Sequence, residues 1–478
     1  MNPAIFLKSD RRHKQLVRGI LAIGLLSGIG GSFSPTPPAY AAVPAAQRPA
    51  PDLTAGKEAF DANCARCHGP TGAGDGPDAK RMFPKPRKLS EGIFKFRTTA
   101  SGTLPTDEDL FATISTGLPG SRMPEFTRLP EETRWQLVNY IKTLSPTFQE
   151  KNSKPEPVEM GVDPGPAKAN LAKGKEIYAS LKCAACHGEQ GRGNGASAPT
   201  LVDNWGSPIR PADLTQGWNY RGGASPKMIL ARMMTGIDGT PMPSYADAIP
   251  SKEDAWALAY YVASLQEPPH WNRTVEARKI SQALPSSPDD PAWQGAVKTD
   301  LQLSNQLYQN GQYQPTRVNA ISIQAVYNEE AVVFRLRWND PDESRGNPSD
   351  AVGVALVSER PLKWEIGSLR SWPAVEDAPA LDLSYWSAER NAAEEGVVRS
   401  TAELETGKTA GEPLESRAAY ADGTWTLILK RPFQSPLANR AALDSKNPIL
   451  IGLAVWDGGN NEQGRRRANS NWINLALK

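Results

Sequence analysis

The amino-acid sequence predicts a multidomain protein with two small all-α domains followed by an all-β antiparallel sandwich. A Cys-x-x-Cys-His pentapeptide occurs at residues 64–68 and again at 183–187, so its two copies lie 119 residues apart. Helical patterns flank both copies, whereas beyond Pro268-Pro269 the apolar residues fall into short runs rich in Val, Ile and Trp. A chain of 478 residues is long enough for about three domains.

The helices are predicted at matching places around the two pentapeptides. A helix begins near Thr54, a candidate N-cap, and leads into the first pentapeptide. Gly56 and Gly174 each precede an aromatic residue by four positions, which predicts that another helix crosses closely at each glycine. Further helices are predicted at about 107–116, 131–144, 226–235 and 252–265. The two helical domains span residues 52–148 and 167–267, with a linker at 149–166 that is rich in Pro, Lys and Glu.

Short strands are predicted from residue 271 to 478. Their runs are 320–326, 331–338, 351–357, 424–429, 449–456 and 472–477, separated by Asn, Asp, Gly and Pro. Residues 328–330 read as a hairpin loop, and residues 391–417 as a long connecting loop. This spacing favours an antiparallel sandwich or barrel.

Residues 1–41 have the pattern of a secretory signal peptide. Five basic residues precede an apolar run at 20–29, and small residues follow at 39–42. The run is too short to span a bilayer, so we expect export to the periplasm, with membrane attachment only if the segment stays uncleaved. Without this segment the chain carries 49 basic and 51 acidic side chains, since five of 54 and one of 52 lie within it. That balance argues against a nucleic-acid partner.

The pentapeptides contain all four cysteines of the chain: Cys64, Cys67, Cys183 and Cys186. Two thiols at this spacing, followed directly by a histidine, are typical of covalent haem attachment with the imidazole as iron ligand. The candidate iron ligands are His68 and His187. The alternatives are a zinc site, which wants four ligands, and a thioredoxin-like thiol pair, which needs no adjacent histidine.

A Met-Pro pair follows each pentapeptide at one fixed distance. Met123 lies 59 residues after Cys64, and Met242 lies 59 residues after Cys183. A thioether sulfur opposite a histidine raises the reduction potential and fills the sixth position of the iron, which favours electron transfer over ligand chemistry. Ordinary core packing is the alternative role for these methionines, and Met82, Met228, Met233 and Met234 are the competing ligands.

These residues resemble the class I c-type cytochrome family. The resemblance implies that Cys64, Cys67, His68 and Met123 bind one haem c, and that Cys183, Cys186, His187 and Met242 bind a second. Arg97 and Arg221, each between a pentapeptide and its Met loop, are candidate partners of the haem propionates, with a solvated surface role as the alternative.

The third domain resembles the haem-binding γ subunits of exported molybdoenzymes of the ethylbenzene dehydrogenase and dimethylsulfide dehydrogenase group. The motifs are Asp290–Gln294, Phe334–Pro341 and Ala454–Glu462. The family holds a b-type haem between Met and Lys, but no methionine follows Met242, and arginines stand at 465–467 in place of the lysine. We therefore expect two haems; a b-type haem would need Lys363 or Lys430. We expect the Arg465–Arg467 run to lie in a solvated loop, and its alternative role is to contact an acidic partner or a phosphate.

The predicted function is an electron-transfer subunit, with no catalytic residues of its own, that passes single electrons between a redox-enzyme complex and a soluble carrier. The resemblance of the third domain suggests a molybdoenzyme with its iron–sulfur subunit as that complex. The alternatives are a dihaem enzyme of the peroxidase or thiosulfate dehydrogenase type, and a binding module whose sandwich recognises a ligand or sugar. A peroxidase needs an open iron site, and a thiosulfate enzyme would use a cysteine ligand, for which no spare cysteine exists.

Overall fold

Two helical domains with the same order of elements occupy the first half of the chain in this computed structural model. The structure describes residues 48–82, 84–150, 155–305, 316–357, 381–398, 411–437, 440–443, 449–464 and 466–478. The first domain contains α1 (Leu53–Asn63), α2 (Ala65–His68), α3 (Asp107–Thr116), α4 (Glu131–Thr143) and α5 (Pro146–Glu150). The second contains α6 (Leu171–Ser180), α7 (Ala184–His187), α8 (Pro226–Thr235) and α9 (Lys252–Ser264).

Side-chain caps explain where these helices begin. Thr106 and Asp109 form a reciprocal capping box at the start of α3, and Ser251 caps α9 by accepting from Asp254 N. The predicted N-cap of α1 is wrong: Asp52, rather than Thr54, accepts from Ala55 N. Asp and Thr both cap helices well, so the sequence alone does not distinguish between two candidates this close together. Tertiary packing selects one of them.

The close crossing at Gly56 and Gly174 is confirmed. A Cβ at Gly174 would overlap the Ala257 carbonyl oxygen of α9, and a Cβ at Gly56 would overlap the Gln136 carbonyl oxygen of α4. Each glycine therefore lets the first helix of a domain pack directly on the backbone of its last helix. The aromatic residue four positions on, Phe60 or Tyr178, is buried beside this crossing.

The remaining described part of the chain is mostly β, as the sequence predicts, and its strands form one large mixed sheet. Its strands are β1 (Thr274–Lys279), β2 (Thr299–Asn305), β3 (Ala320–Tyr327), β4 (Ala331–Asn339), β5 (Ala351–Val357), β6 (Leu381–Ser387), β7 (Ala392–Val398), β8 (Glu412–Leu414), β9 (Ser416–Ala421), β10 (Thr424–Pro432), β11 (Ile449–Trp456), β12 (Ala468–Ser470) and β13 (Ile473–Leu477). The hydrogen-bonded order is β8-β7-β6-β5-β11-β12-β2-β3-β4-β10-β9. Most neighbours are antiparallel, but β1 runs parallel to β13 and β3. Because β13 also pairs with β11, the pairing closes on itself through six strands.

The turns of the sheet agree with the sequence prediction in one place and differ in another. The side chain of Asn328 accepts from the backbone N–H groups of Glu330 and Ala331, which closes the predicted β3–β4 hairpin. The prediction of a loop over 391–417 is wrong for its described part, since 392–398 and 412–414 are strands β7 and β8. Pairing with β6 holds the Glu-containing strand β7 in place although its sequence is a poor strand former.

Aromatic packing fills the centre of the β-domain. Trp338, Trp386 and Trp425 are each at most 2% exposed, and their rings contact one another at centroid distances of 5.0 to 6.3 Å. Trp338, one residue before the end of β4, is thus held in this aromatic core. No helix in the described part of the chain is long and apolar enough to cross a membrane.

We predict that Gly174→Ala destabilises the second helical domain by about 1–3 kcal/mol, because the added methyl group forces α6 away from α9. Denaturant unfolding of the haem-loaded protein, followed by its visible absorbance, measures this. The control is Gly346→Ala, where a Cβ meets nothing within 4 Å. Equal stability of the two variants would contradict the close crossing.

Candidate haem sites

Each pentapeptide sits at the end of the first helix of its domain, where the chain makes one further helical turn. In the first domain Cys64 ends α1, and Cys67 and His68 lie on the short helix α2. In the second domain Cys186 and His187 lie in the same way on α7. The backbone N–H of each histidine donates to the carbonyl of the first cysteine of its pentapeptide, at 2.9 Å in both copies. This turn presents both thiols and the imidazole to one region.

A backbone carbonyl fixes each histidine ring. The Nδ1–H of His68 donates to the Arg87 carbonyl, and that of His187 donates to the Ala212 carbonyl, each at 2.9 Å. The hydrogen bond at Nδ1 leaves the Nε2 lone pair free for a metal and holds the ring in one orientation. Burial lowers the pKa of both imidazoles, which favours their neutral form at pH 7.

The two methionines are held in matching turns. The N–H of Leu118 donates to the Met123 carbonyl, and the N–H of Ile237 donates to the Met242 carbonyl, each at 3.0 Å. In both turns a hydroxyl group, from Ser121 or Thr240, accepts from the methionine N–H. Both methionines are half-buried. The two methionines thus lie in backbone turns of the same kind.

A cavity of about 1380 Å³ brings the second set of residues together. Its lining includes Cys183, Cys186, His187 and Met242. Aromatic and aliphatic side chains complete the wall near these residues: Tyr178, Leu214, Tyr220, Ile229, Met233, Tyr245, Leu258 and Val262. Two thiols, an imidazole and a thioether around a largely apolar space fit a haem in this domain.

The thiols themselves are unlike a reactive pair. Burial raises the pKa of Cys64 to about 12 and that of Cys183 to about 11. A thioredoxin-like pair needs a lowered pKa at its attacking thiol, so the redox-dithiol alternative does not fit these sites.

Comparison with known proteins agrees with this geometry. The cytochrome c family model matches residues 53–145 and 171–266, which are the two helical domains. Both helical domains of the chain are therefore cytochrome c domains, and each binds one haem c covalently. The ethylbenzene dehydrogenase family model matches residues 392–468 of the β-domain.

Several proteins similar to this chain belong to larger complexes. A protein of Haloferax mediterranei, named as a respiratory nitrate reductase haem subunit, is 23% identical over 41% of this chain and 70% of its own length. The FixPc subunit of a cbb3-type cytochrome c oxidase from Rhizobium leguminosarum bv. viciae is 30% identical over 32% of this chain and 45% of its own. In the solved reducing HAO-like protein complex of Kuenenia stuttgartiensis, one chain is 43% identical, with 45% of this chain and 96% of that chain covered and a TM-score of 0.43. The cytochrome is an electron-transfer protein related to such subunits.

The structure gives Arg97 a position that the sequence did not predict. Arg97 is fully buried and lies against the second cytochrome domain, where it donates to the Thr235 carbonyl at 3.0 Å and pairs with Asp238 at 2.8 Å. Its other N–H groups donate to the carbonyls of Phe94 and Ala100. The guanidinium therefore joins the first domain to the Met loop of the second, and the alternative of a solvated surface arginine is wrong. Its predicted contact with a haem propionate stays a prediction.

Arg221, by contrast, lines the cavity of the second domain. Within the described part of the chain it makes no hydrogen bond or ion pair, and burial lowers its pKa. Lys95 of the first domain lines the same cavity, and burial together with Arg87 and Arg221 lowers its pKa to about 8. These clustered, partly desolvated cations suit an anionic group such as a carboxylate.

The loops that hold the histidines also carry contacts to the next domain. The Arg87 guanidinium stacks on Trp205 of the second cytochrome domain, 4.1 Å from the ring centroid. Asp213, next to the carbonyl that binds His187, accepts from the side chain of Asn339 at the end of β4, at 2.8 Å. Each haem site is thereby linked to the domain that follows it.

The remaining candidate ligands have other roles. Met233 and Met234 are buried in the core of the second domain, as expected for core packing. Lys430 donates to Glu415 at 2.9 Å on the surface of the β-domain. Lys363 and Arg465 lie outside the described residues.

The expectation of an exposed arginine run is wrong at Arg467. This residue is 2% exposed, lies over the Trp456 ring and donates to Asn469 and to the Gly464 carbonyl. The burial of Arg467 could not be predicted from the charge of the run, because the aromatic ring that this arginine covers belongs to strand β11.

We predict that Asp238→Asn weakens the contact between the two cytochrome domains by about 2 kcal/mol, because it removes the charged acceptor of the buried Arg97. Differential scanning calorimetry should show the domains melting at a lower temperature or in separate transitions. Asp247→Asn, at an exposed position of the same domain, is the matched control. An unchanged melting profile in Asp238→Asn would show that the domains are joined by other contacts.

Proposed function

We propose that this protein is an exported dihaem cytochrome c that passes single electrons between a redox-enzyme complex and a soluble carrier. One observation carries the proposal: each domain combines a histidine whose Nδ1 is fixed by a backbone carbonyl with a methionine held in an equivalent loop. His68 and Met123 would bind the iron of the first haem, and His187 and Met242 would bind that of the second. A haem with both axial positions filled by protein exchanges electrons without binding substrate.

The residues around the sites support this role. The neutral, oriented imidazoles and the thioethers form a soft donor set that favours the ferrous state. The cavity wall around Met242 is mostly apolar, which limits solvent access and further raises the potential. Arg221 and Lys95 provide positive charge on the polar side of this cavity, and we assign Arg221 to a haem propionate.

The partner is proposed from the C-terminal domain and from the relatives. Its match to the ethylbenzene dehydrogenase family, together with a relative named as a nitrate reductase haem subunit, supports a molybdoenzyme complex as the electron donor or acceptor. The β-domain would dock that complex, while Asn339 and Trp271 connect it to the second cytochrome domain.

Export and duplication complete the proposal. The pattern of residues 1–41, which lie outside the described part, supports a cleaved signal peptide and a periplasmic location. The 119-residue period and the matching order of elements support a tandem duplication of one cytochrome domain.

The assignment of the methionines is tested by Met123→Ala and Met242→Ala. Each variant should leave one haem low-spin and convert the other to a form that binds CO, because the sixth position of that iron opens. Visible and electron paramagnetic resonance spectra with and without CO measure this, and the altered haem should also shift in midpoint potential.

Met228→Leu, in the second domain but outside the cavity lining, is the control and should keep both haems low-spin. A fully low-spin spectrum in Met242→Ala would remove Met242 as a ligand. Rapid CO or peroxide reaction of one haem in the unmodified protein would favour the dihaem enzyme instead.

A further inference from the structure

Four aspartates meet at one end of the β-domain. Asp340 and Asp342 follow β4, Asp350 precedes β5, and Asp457 follows β11. Each offers a carboxylate oxygen, and these oxygens all lie within 4.8 Å of one another. Asp340, Asp350 and Asp457 are at most 1% exposed. The fold therefore concentrates negative charge in a place where water cannot screen it.

The positive charge available in this cluster is smaller than the negative charge. In the described part of the chain, both salt bridges of the cluster come from Arg317, which pairs with Asp342 and Asp457. Asp350 has no cationic partner there and is satisfied by N–H donors from Ser344, Trp425 and Gly458. One guanidinium thus faces four carboxylates.

Asp340 is the aspartate whose buried negative charge this arrangement leaves uncompensated. Its side chain is 1% exposed, and its Oδ2 has no hydrogen-bond partner among the described residues. Burial and the neighbouring carboxylates raise the pKa of Asp340 well above its ordinary value. A buried carboxylate oxygen of this kind requires either a proton or a cation.

We propose that Asp340, Asp342, Asp350 and Asp457 bind one hard divalent cation, with Ca²⁺ as the best match. The donors are all carboxylate oxygens, and oxygen ligands of high charge are what Ca²⁺ selects, whereas zinc and iron sites in proteins use His and Cys. Asp342 is 42% exposed at its side chain and provides the solvent-facing side of the site.

The site lies next to the second haem cavity. Arg317, Pro341 and Asn460 are part of the cavity lining that includes His187 and Met242. A cation held by Asp340, Asp342 and Asp457 would tie together the loops after β4 and β11 that form this wall. The inference concerns the β-domain alone and stands whether or not the proposed electron-transfer partner is correct.

Calcium titration of the full-length, haem-loaded protein tests the site directly. After removal of divalent ions with a chelator, which leaves covalent haem in place, isothermal titration with CaCl₂ should show one ion per chain. Asp340→Asn should weaken this binding at least 10-fold. Glu415→Gln, which removes an exposed carboxylate of the same domain, should bind as the unmodified protein does.

Thermal unfolding separates a cation site from a protonated aspartate. If a cation binds, CaCl₂ raises the melting temperature of the unmodified protein, while Asp340→Asn melts higher than the unmodified protein in chelator and does not respond to CaCl₂. No heat of binding and no change in melting with CaCl₂ in the unmodified protein would overturn the proposal. That result needs no variant, so it holds even if Asp340→Asn fails to fold.

Discussion

The hydrogen bond from each histidine ring to a backbone carbonyl is the constraint on which both haem sites depend. It sets the ring orientation of His68 and His187 and leaves the Nε2 lone pair free to bind a metal. The accepting loops also reach beyond their own domains: Arg87 stacks on Trp205, and Asp213 binds Asn339. A movement between domains would therefore displace the carbonyl that holds a ligand, so domain contacts and ligand geometry are coupled.

Buried charge strengthens this coupling. Arg97 is removed from water at the contact of the two cytochrome domains, and its N–H groups are directed at carbonyls and at Asp238 beside the second Met loop. A buried guanidinium is tolerated only while its acceptors stay in place, so the contact is specific in geometry as well as favourable in energy. The Met loop of one domain is thus positioned in part by an arginine of the other.

Much of the fold follows from local patterns in the sequence. Helices α3 and α8 and strands β3, β4, β5 and β11 agree closely with the runs predicted from periodicity, because their apolar spacing and flanking turn residues point to one structure. The proposed donor sets of the two sites are likewise predictions from spacing. What the sequence could not provide depends on distant partners. The carbonyls that hold the histidines lie 19 and 25 residues beyond them, so the spacing between histidine and carbonyl is not the same in the two copies.

Residues whose role is set by tertiary contact were the ones interpreted incorrectly. Arg467 appears solvated in the sequence, yet it is buried against Trp456. Strand β7 has a weak strand sequence and is held by its neighbour β6. The sequence gives no sign of the Asp340 cluster, because only the sheet brings together the ends of β4 and β11 and the start of β5.

We expect the redox content of this chain to be two covalent haems, one in each cytochrome domain. It is tested most directly by counting haems of each type on the mature protein. Acid–acetone extraction separates noncovalent haem b from covalent haem c, and alkaline pyridine spectra quantify both. The account predicts two haem c per chain and no extractable haem. A single covalent haem, or a stoichiometric haem b released from the protein, would contradict it.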